Sequence, residues 1–212
     1  MNKIIPCLFA VGLLAIPATL AHAKVVRVVE KSFAVESGGT LKVKTRGGDV
    51  RVRIGDSNDV HVVARQKFRT SDEEKADEIL EHLDLIMQQT SDGVELEAKY
   101  DGPKGLFNFG STPVQVSFEV TVPESYHADL NTSGGDIIVG DLGGDLMART
   151  SGGDIQVAKI TGKANASTSG GDIELIGANG DVKLSTSGGD IEVDQVRSAA
   201  ELSTSGGDIR ID

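Results

Sequence analysis

The sequence predicts an all-β protein, a β-solenoid or β-helix with 18-residue coils and one α-helix inserted in its N-terminal half. Three observations lead to this fold class. The six residues TSGGDI occur five times at intervals of 18 residues, beginning at Thr132, Thr150, Thr168, Thr186 and Thr204. Within each interval apolar residues alternate with polar ones, as in a strand with one buried face. Aromatic residues make up only 4% of the chain, which favours a thin core.

Residues 1–23 are predicted to be a secretory signal peptide. Lys3 precedes an apolar run, and Ala21-His22-Ala23 forms a small-residue cleavage site. The only cysteine, Cys7, lies near the start of that run, whereas a lipoprotein cysteine would end it, so lipidation is not expected. Because no later stretch of the sequence is apolar over a membrane-spanning length, we expect an exported protein, periplasmic or extracellular.

The net negative charge of the mature chain limits the kinds of molecule that it could bind. Removal of the signal peptide leaves 20 basic and 32 acidic residues. Such a surface disfavours nucleic acid and suits cations or cationic partners.

Residues 24–130 are predicted to form an N-terminal β region with an inserted helix. Leu41–Thr45 alternates as a strand and leads into Arg46-Gly47-Gly48-Asp49-Val50, a degenerate copy of the later motif. Val60–Ala64 reads as another strand. Ser71-Asp72-Glu73-Glu74 resembles a capping box, and the apolar residues that follow recur at helical spacing, which predicts a helix over about 72–89. This helix is expected to lie on the β framework or to cover the N-terminal end of its core, with a partner-binding role as the alternative.

Two more strands are predicted at Val94–Tyr100 and Val114–Val122, joined by a loop that contains Phe107 and Phe109. In a chain this poor in aromatic residues, the two phenylalanines either fold back onto an open sheet edge or contact a partner.

Residues 131–212 form the predicted repeat array, continuous with the N-terminal region. Counting the threonine as position zero, positions 5, 7, 14 and 16 are apolar and face the core. The same alternation places each threonine inward and each following serine outward. The Gly-Gly segment is predicted to form the corner, because glycine tolerates positive φ and close backbone approach. The array has no segment after Asp212 in this sequence to cover its last strand, which favours end-to-end association.

The repeated aspartates are the strongest candidate site. The aspartates are Asp136, Asp154, Asp172, Asp190 and Asp208. Neighbouring carboxylates one coil apart repel by roughly 1 kcal/mol in water, so something should offset that repulsion. Either each aspartate caps its own turn through backbone N–H groups, or the row binds calcium, as hard carboxylate oxygens do.

The chain resembles a bacterial putative-adhesin family of unknown function, whose members carry recurring SGDI or SGGDI turns. The resemblance rests on the early Gly47-Gly48-Asp49-Val50, the inserted helix, Val122-Pro123 and the array, and covers nearly all of residues 30–212. It implies an exported or envelope-associated protein, in some members linked to envelope stress, without general catalytic residues.

No enzyme signature accompanies these features in the sequence. The three histidines after the signal peptide lack metal-ligand spacing, and there is no nucleophile elbow or phosphate-binding loop. We therefore predict a non-enzymatic protein without a cofactor: an adhesin-like binding or scaffold protein that contacts an envelope protein or glycan. The alternatives are an envelope-stress or assembly factor acting through a protein partner, and a calcium-binding β-roll.

Overall fold

A computed structural model describes residues 24–102 and 112–212. The predicted signal peptide, Cys7, Phe107 and Phe109 lie outside the described residues. The model confirms a mostly β fold, in which the described residues contain 17 strands, two open sheets and one helix.

Nine strands form the larger sheet. Their spatial order is β1 (Val26–Ala34), β4 (Asp59–Phe68), β7 (Val114–Val122), β3 (Val50–Ile54), β9 (Ile137–Val139), β11 (Ile155–Ile160), β13 (Ile173–Ala178), β15 (Ile191–Val196) and β17 (Ile209–Ile211). Eight strands form the smaller sheet. Their spatial order is β16 (Ala200–Ser203), β14 (Val182–Ser185), β12 (Ala164–Ser167), β10 (Leu146–Arg149), β8 (His127–Asn131), β2 (Thr40–Lys44), β6 (Gly93–Tyr100) and β5 (Leu83–Thr90).

Strands of the repeat array pair in parallel and in register, each repeat with the next. In the larger sheet Ile155 lies opposite Ile173, and Ile173 lies opposite Ile191. In the smaller sheet Ala166 lies opposite Leu184. Equivalent apolar side chains therefore stack in continuous rows between the sheets, and these rows form the buried core.

The N-terminal region joins the same two sheets. Val50 and Val52 of β3 pair with Ile137 and Val139 of β9, which confirms that the degenerate Gly-Gly-Asp-Val segment holds the position of a repeat. Beyond β3 the pairing changes, since β3 and β7 are parallel whereas β4 runs antiparallel to both of its neighbours, β7 and β1, at the edge of the larger sheet. The hairpin of β5 and β6 forms the matching edge of the smaller sheet.

The predicted helix is correct at its start and wrong at its end. Helix α1 spans Glu73–Leu80, and its N-cap is Asp72, whose side chain accepts hydrogen bonds from the backbone of Glu74 and Lys75. The second half of the predicted 72–89 segment is strand β5, paired along its length with β6. Leu83, Leu85 and Met87 alternate as in a strand. Leu83, Ile86 and Met87 also recur at helical spacing, so pairing with the free edge of β6 decides between strand and helix.

Helix α1 packs against the core of the N-terminal region. Ala76 is fully buried, which confirms that the helix lies on the β framework. Arg27 of β1 places its guanidinium 3.1 Å from the carboxylate of Glu73 and 2.7 Å from that of Asp77, over the ring of Phe68. An inward-pointing charge on an outermost strand also discourages further strand pairing at that edge.

Candidate functional site

Each repeated threonine joins two repeats through its hydroxyl group. The Thr150 hydroxyl donates to the carbonyl of Gly135, one repeat earlier, at 3.0 Å, and accepts from the N–H of Gly153 in its own turn at 3.3 Å. The same two hydrogen bonds recur at the four other repeated threonines, Thr132, Thr168, Thr186 and Thr204. Thr132, Thr150, Thr168 and Thr186 are at most 7% exposed, so the predicted inward orientation is confirmed for them.

The second glycine of each corner is required because two backbones approach closely. A β-carbon on Gly153 would lie 2.1 Å from the carbonyl oxygen of Gly135. A β-carbon on the first glycine, Gly152, would meet nothing closer than 3.8 Å. The expectation of positive φ at these corners is wrong, since the only described glycines with positive φ are Gly38 and Gly93, outside the array.

The repeated aspartates form a hydrogen-bonded ladder along the array. An Oδ1 atom of Asp136 accepts from the backbone N–H of Asp154 at 3.0 Å, and Asp154 accepts from Asp172 at 2.9 Å. The ladder continues through Asp190 to Asp208 and begins at Asp49 in the degenerate copy. The prediction that each aspartate caps its own turn is therefore wrong in its partner, because the N–H group belongs to the next repeat. These N–H dipoles offset the repulsion between stacked carboxylates.

Side chains that face away from the core form rows along both sheets. On the smaller sheet Lys183 and Glu201 pair one repeat apart, at 2.8 Å between Nζ and Oε1. On the larger sheet Arg210 and Glu192 lie 3.8 Å apart. The repeated serines at Ser133, Ser151, Ser169, Ser187 and Ser205 are exposed beside the corners.

A shallow polar groove runs along the bend that follows the larger-sheet strands. It encloses about 380 Å³ and crosses four repeats. The buried Leu142 and Ile160 lie beneath the groove. Its lining also includes four polar or charged residues, Lys159, Thr161, Asn179 and Arg197. Its residues differ from repeat to repeat, unlike the corner residues, because stacking makes no demand on them.

A second depression, at the N-terminal end, was not predicted from the sequence. It lies between the turn that follows β1 and the turn between β5 and β6, and the buried Tyr126 contributes to its lining. The signal in the sequence is weak, since Ser37-Gly38-Gly39 and Ser91-Asp92-Gly93 resemble ordinary turns and lie more than 50 residues apart.

Comparison with known proteins places the chain in a family. A family model described as Toastrack DUF4097 matches residues 36–212. The chain belongs to the Toastrack DUF4097 family. No curated protein matches this Toastrack sequence.

Several solved structures are similar to this Toastrack chain. A crystal structure described as a putative cell adhesion protein from Clostridium sporogenes has 12% identity and a TM-score of 0.47, with 87% of this chain and 99% of that chain covered. A putative adhesin from Bacteroides fragilis has 13% identity and a TM-score of 0.42, over 88% and 97% of the two chains. A putative lipid binding protein from Parabacteroides distasonis has 12% identity and a TM-score of 0.36, over 87% and 97%.

Neither residues 24–102 nor 112–212 contain a helix long and apolar enough to cross a membrane.

Proposed function

We propose that this Toastrack protein is an exported, non-catalytic β-solenoid with 18-residue coils, and that it serves as an adhesin-like binding protein or scaffold of the bacterial cell envelope. The observation that supports the proposal is that the residues of each repeat that join it to the next are different from those that face solvent. Threonine, the second glycine and aspartate hold one repeat to the next, while the outward rows of both sheets add only exposed ion pairs between repeats. Those rows form a regular surface for an envelope protein or glycan.

Export follows from the predicted signal peptide at residues 1–23. Cleavage after Ala23 leaves Val25 in place, whose N–H donates to the carbonyl of Thr70 and whose carbonyl accepts from Phe68, each at 2.9 Å. The mature fold therefore keeps its first strand. Cell fractionation checks the proposal, since recovery of an uncleaved chain from the cytoplasm contradicts it.

Added or reversed charges on the two outward faces test the binding surface. One variant carries Gln156→Arg and Glu174→Arg on the larger sheet, and its counterpart carries Asn165→Glu and Lys183→Glu on the smaller sheet. Because these residues face away from the core, each variant should stay within about 1 kcal/mol per substitution of the wild type, with the larger loss for Lys183→Glu, which removes the exposed pair with Glu201. Capture of material from envelope extracts should fall for one face and persist for the other. Unchanged capture by both variants refutes binding along the outward rows.

A second candidate is an envelope-stress or assembly factor that acts through a protein partner. Phe107 and Phe109 are the proposed contact, because they are two of only six phenylalanines in the chain. Replacement of both by serine should abolish recovery of the partner in a pull-down. A partner that survives this change does not bind through the loop.

Calcium binding by the aspartate row is a third candidate. It needs carboxylate oxygens beyond those engaged in the ladder, where one oxygen of each aspartate from Asp136 to Asp190 already accepts a backbone N–H. Calorimetry with Ca²⁺ on the mature protein decides the question, and heat of binding together with a higher melting temperature would support it.

End-to-end self-association is a further proposal. Ile209 and Ile211 on β17 are 44% and 63% exposed, whereas Ile191 on the adjacent strand is fully buried. Pairing with a second copy would cover these side chains and the outer edge of β17. Sedimentation velocity at increasing concentration tests it, and replacement of Ile211 by lysine should return the protein to a monomer.

A further inference from the structure

Seven parallel strands of the larger sheet carry two straight rows of outward residues. These strands are neighbours in the order β7, β3, β9, β11, β13, β15 and β17, and their register aligns both rows from strand to strand. The middle strand of the seven is β11, which contributes Gln156 to the first row and Ala158 to the second. Each outward residue on one side of β11 thus has a counterpart at the same distance on the other side.

The first row carries opposite charges at matching distances from Gln156. Two strands away, Arg51 lies on one side and Glu192 on the other. Three strands away, the corresponding residues are Glu119 and Arg210. The carboxylates of Glu119 and Glu192 are each 3.8 Å from an arginine of the same chain, and such exposed pairs contribute little to stability. The charge order on one side of β11 is therefore the inverse of that on the other.

The second row combines the same charge inversion with a complementary shape. Arg53 and Asp194 lie two strands from Ala158, on opposite sides of it. One strand from Ala158, the side chain of Ile176 is 42% exposed on one side, whereas Gly140 lies on the other. A projecting apolar side chain on one side of β11 thus matches a recess on the other.

The fold of a single chain does not require these residues. A β-carbon on Gly140 would lie 3.5 Å from its nearest neighbour, the carbonyl oxygen of Val52, which is ordinary van der Waals contact. Among the described residues, neither Arg53 nor Asp194 has an ion-pair partner. Exposure of Ile176 leaves apolar surface in water that a contact would cover. Contact between two molecules would account for all of these features.

We propose that this face of the larger sheet forms a symmetric homodimer with the same face of a second copy. A two-fold axis that runs parallel to the strands at β11 reverses the order of the strands and keeps the position along each strand. Arg53 then lies opposite Asp194 of the second copy, and the side chain of Ile176 enters the space at Gly140 of that copy. The opposite charges of the first row meet in the same way, and every contact occurs twice.

The size of the face corresponds to a weak dimer. Seven strands at about 4.8 Å and five residues per strand at about 3.3 Å give a face of about 34 by 16 Å, or about 550 Å² from each copy. The total of about 1,100 Å² lies at the lower end of specific interfaces. Glu174 faces Ile138 of the second copy and adds no favourable contact. We therefore expect a reversible dimer with a micromolar dissociation constant.

This dimer goes beyond the proposed envelope-binding function and leaves the outward face of the smaller sheet free for it. Purified mature protein without envelope material is measured, so loss of the dimer and loss of envelope capture are separate observations. Ile211→Lys distinguishes the dimer from the end-to-end contact. It gives a monomer if copies join only through the edge of β17, and a dimer if they also join through this face. A strictly monomeric Ile211→Lys variant overturns the proposal.

Reciprocal charge reversal is the decisive test, measured by sedimentation equilibrium. Arg53→Glu and Asp194→Arg should each weaken dimerisation at least about tenfold, because each places two pairs of like charges in the interface. The double variant should return to within about threefold of the wild type. In one chain the two residues lie four strands apart, about 19 Å, so their direct interaction is screened at about 0.1 M salt and recovery requires a second copy. A double variant as weak as the single variants overturns the proposal.

Ile176→Ser and Gly140→Val test the shape of the interface. The first removes the projecting side chain and the second fills the recess, so each should weaken dimerisation at least about tenfold, and circular dichroism should show that both remain folded. Lys183→Glu on the smaller sheet is the matched control, since it changes the net charge as much as Arg53→Glu does but lies outside the interface. It should leave the dissociation constant unchanged. Equal weakening by Lys183→Glu and Arg53→Glu assigns the effect to net charge and overturns the proposal.

Discussion

Replacement of single corner glycines by alanine distinguishes steric necessity from conformational freedom. The informative pair is Gly171→Ala and Gly170→Ala, two neighbouring residues of the third TSGGDI copy. A β-carbon on Gly171 would lie 2.1 Å from the carbonyl oxygen of Gly153, whereas one on Gly170 would lie 3.7 Å from its nearest neighbour, the carbonyl oxygen of Ser151. The nearest atom to Gly171 is backbone, so it cannot rotate away as a flexible side chain would. Gly171→Ala must therefore push two repeats apart by about 1 Å to restore ordinary van der Waals contact.

The magnitude follows from the hydrogen bonds at that junction. Three of them cross between the two repeats beside the clash: Thr168 Oγ1 to Gly153 O, Asp172 N to Asp154 Oδ1, and Ile155 N to Asp172 O, each 2.9 Å long. At about 1 kcal/mol each, with some loss of packing between Ile155 and Ile173, the variant should lose about 3–5 kcal/mol of unfolding free energy. Gly170→Ala should be neutral or more stable by about 0.4–1 kcal/mol, because alanine restricts the unfolded chain.

Urea denaturation followed by circular dichroism measures both variants in one experiment. Gly207→Ala extends the test, since its β-carbon would also lie 2.1 Å from a carbonyl oxygen, that of Gly189. Because β17 is the outermost strand of its sheet, the last repeat can separate locally, and Gly207→Ala should cost less than Gly171→Ala. If Gly171→Ala and Gly170→Ala agree within about 1 kcal/mol, close backbone approach is not the reason for the second glycine.

Other contacts allow equally direct tests. Thr168→Val should lower unfolding free energy by about 2–4 kcal/mol, because it removes the partner of both the Gly153 carbonyl and the Gly171 N–H, while Thr168→Ser should recover most of the loss. Asp154→Asn should keep the ladder, since an amide oxygen still accepts the Asp172 N–H, and thermal melting should place it above Asp154→Ala. The hydrogen bond from Ser198 lowers the pKa of Asp181, so its stabilising contribution is present at neutral pH and is lost as pH falls through the lowered pKa; NMR titration of Ser198→Ala should show that pKa rise. Asp72→Ala should cost about 1 kcal/mol, because it removes the N-cap of α1, and chemical denaturation measures it.

Stacking was readable from the sequence because it is imposed on every repeat alike. A strict period with alternating apolar residues leaves few ways to bury Ile155, Ile173 and Ile191 other than one above another. The same periodicity places the threonines inward, and the structure shows why a hydroxyl is tolerated there: each one satisfies two backbone groups.

Two local features could not be predicted from the pattern of residues in the sequence. Residues 83–90 carry apolar side chains at spacings that suit both a helix and a strand, and the choice depends on the free edge of β6, which the sequence of β5 does not reveal. The aspartate ladder is similar, because a carboxylate in a glycine corner can accept from its own turn or from the next repeat. Only the register of the stacked repeats, with Asp172 N at 2.9 Å from Asp154 Oδ1, distinguishes them.

The depression between residues 36–39 and 90–93 shows a second limit of prediction from the sequence. Its two turns lie on separate strands and meet only because β2 pairs with β6 in parallel, and Tyr126 enters from a third segment beside β8. Nothing in the local sequence of Gly39 or Gly93 indicates a phenol beneath it. Long-range pairing, not a motif, creates this site.

The repeated residues and the unusual residues lie in different parts of the protein. Within the array the hydroxyl of every TSGGDI threonine and the carboxylate of every TSGGDI aspartate from Asp136 to Asp190 have a partner in the adjoining repeat, so the motif is satisfied by stacking. The two described glycines with positive φ, Gly38 and Gly93, and the buried Tyr126 lie instead in the N-terminal region, where antiparallel strands and α1 replace the period. The Tyr126 phenol is fully buried and packs against the backbone of Gly39 and Gly93, so these two glycines have a steric reason of the same kind as the second glycine of each corner. Close backbone approach therefore explains glycine both inside and outside the array, against a carbonyl oxygen at Gly153 and against a phenol at Gly39.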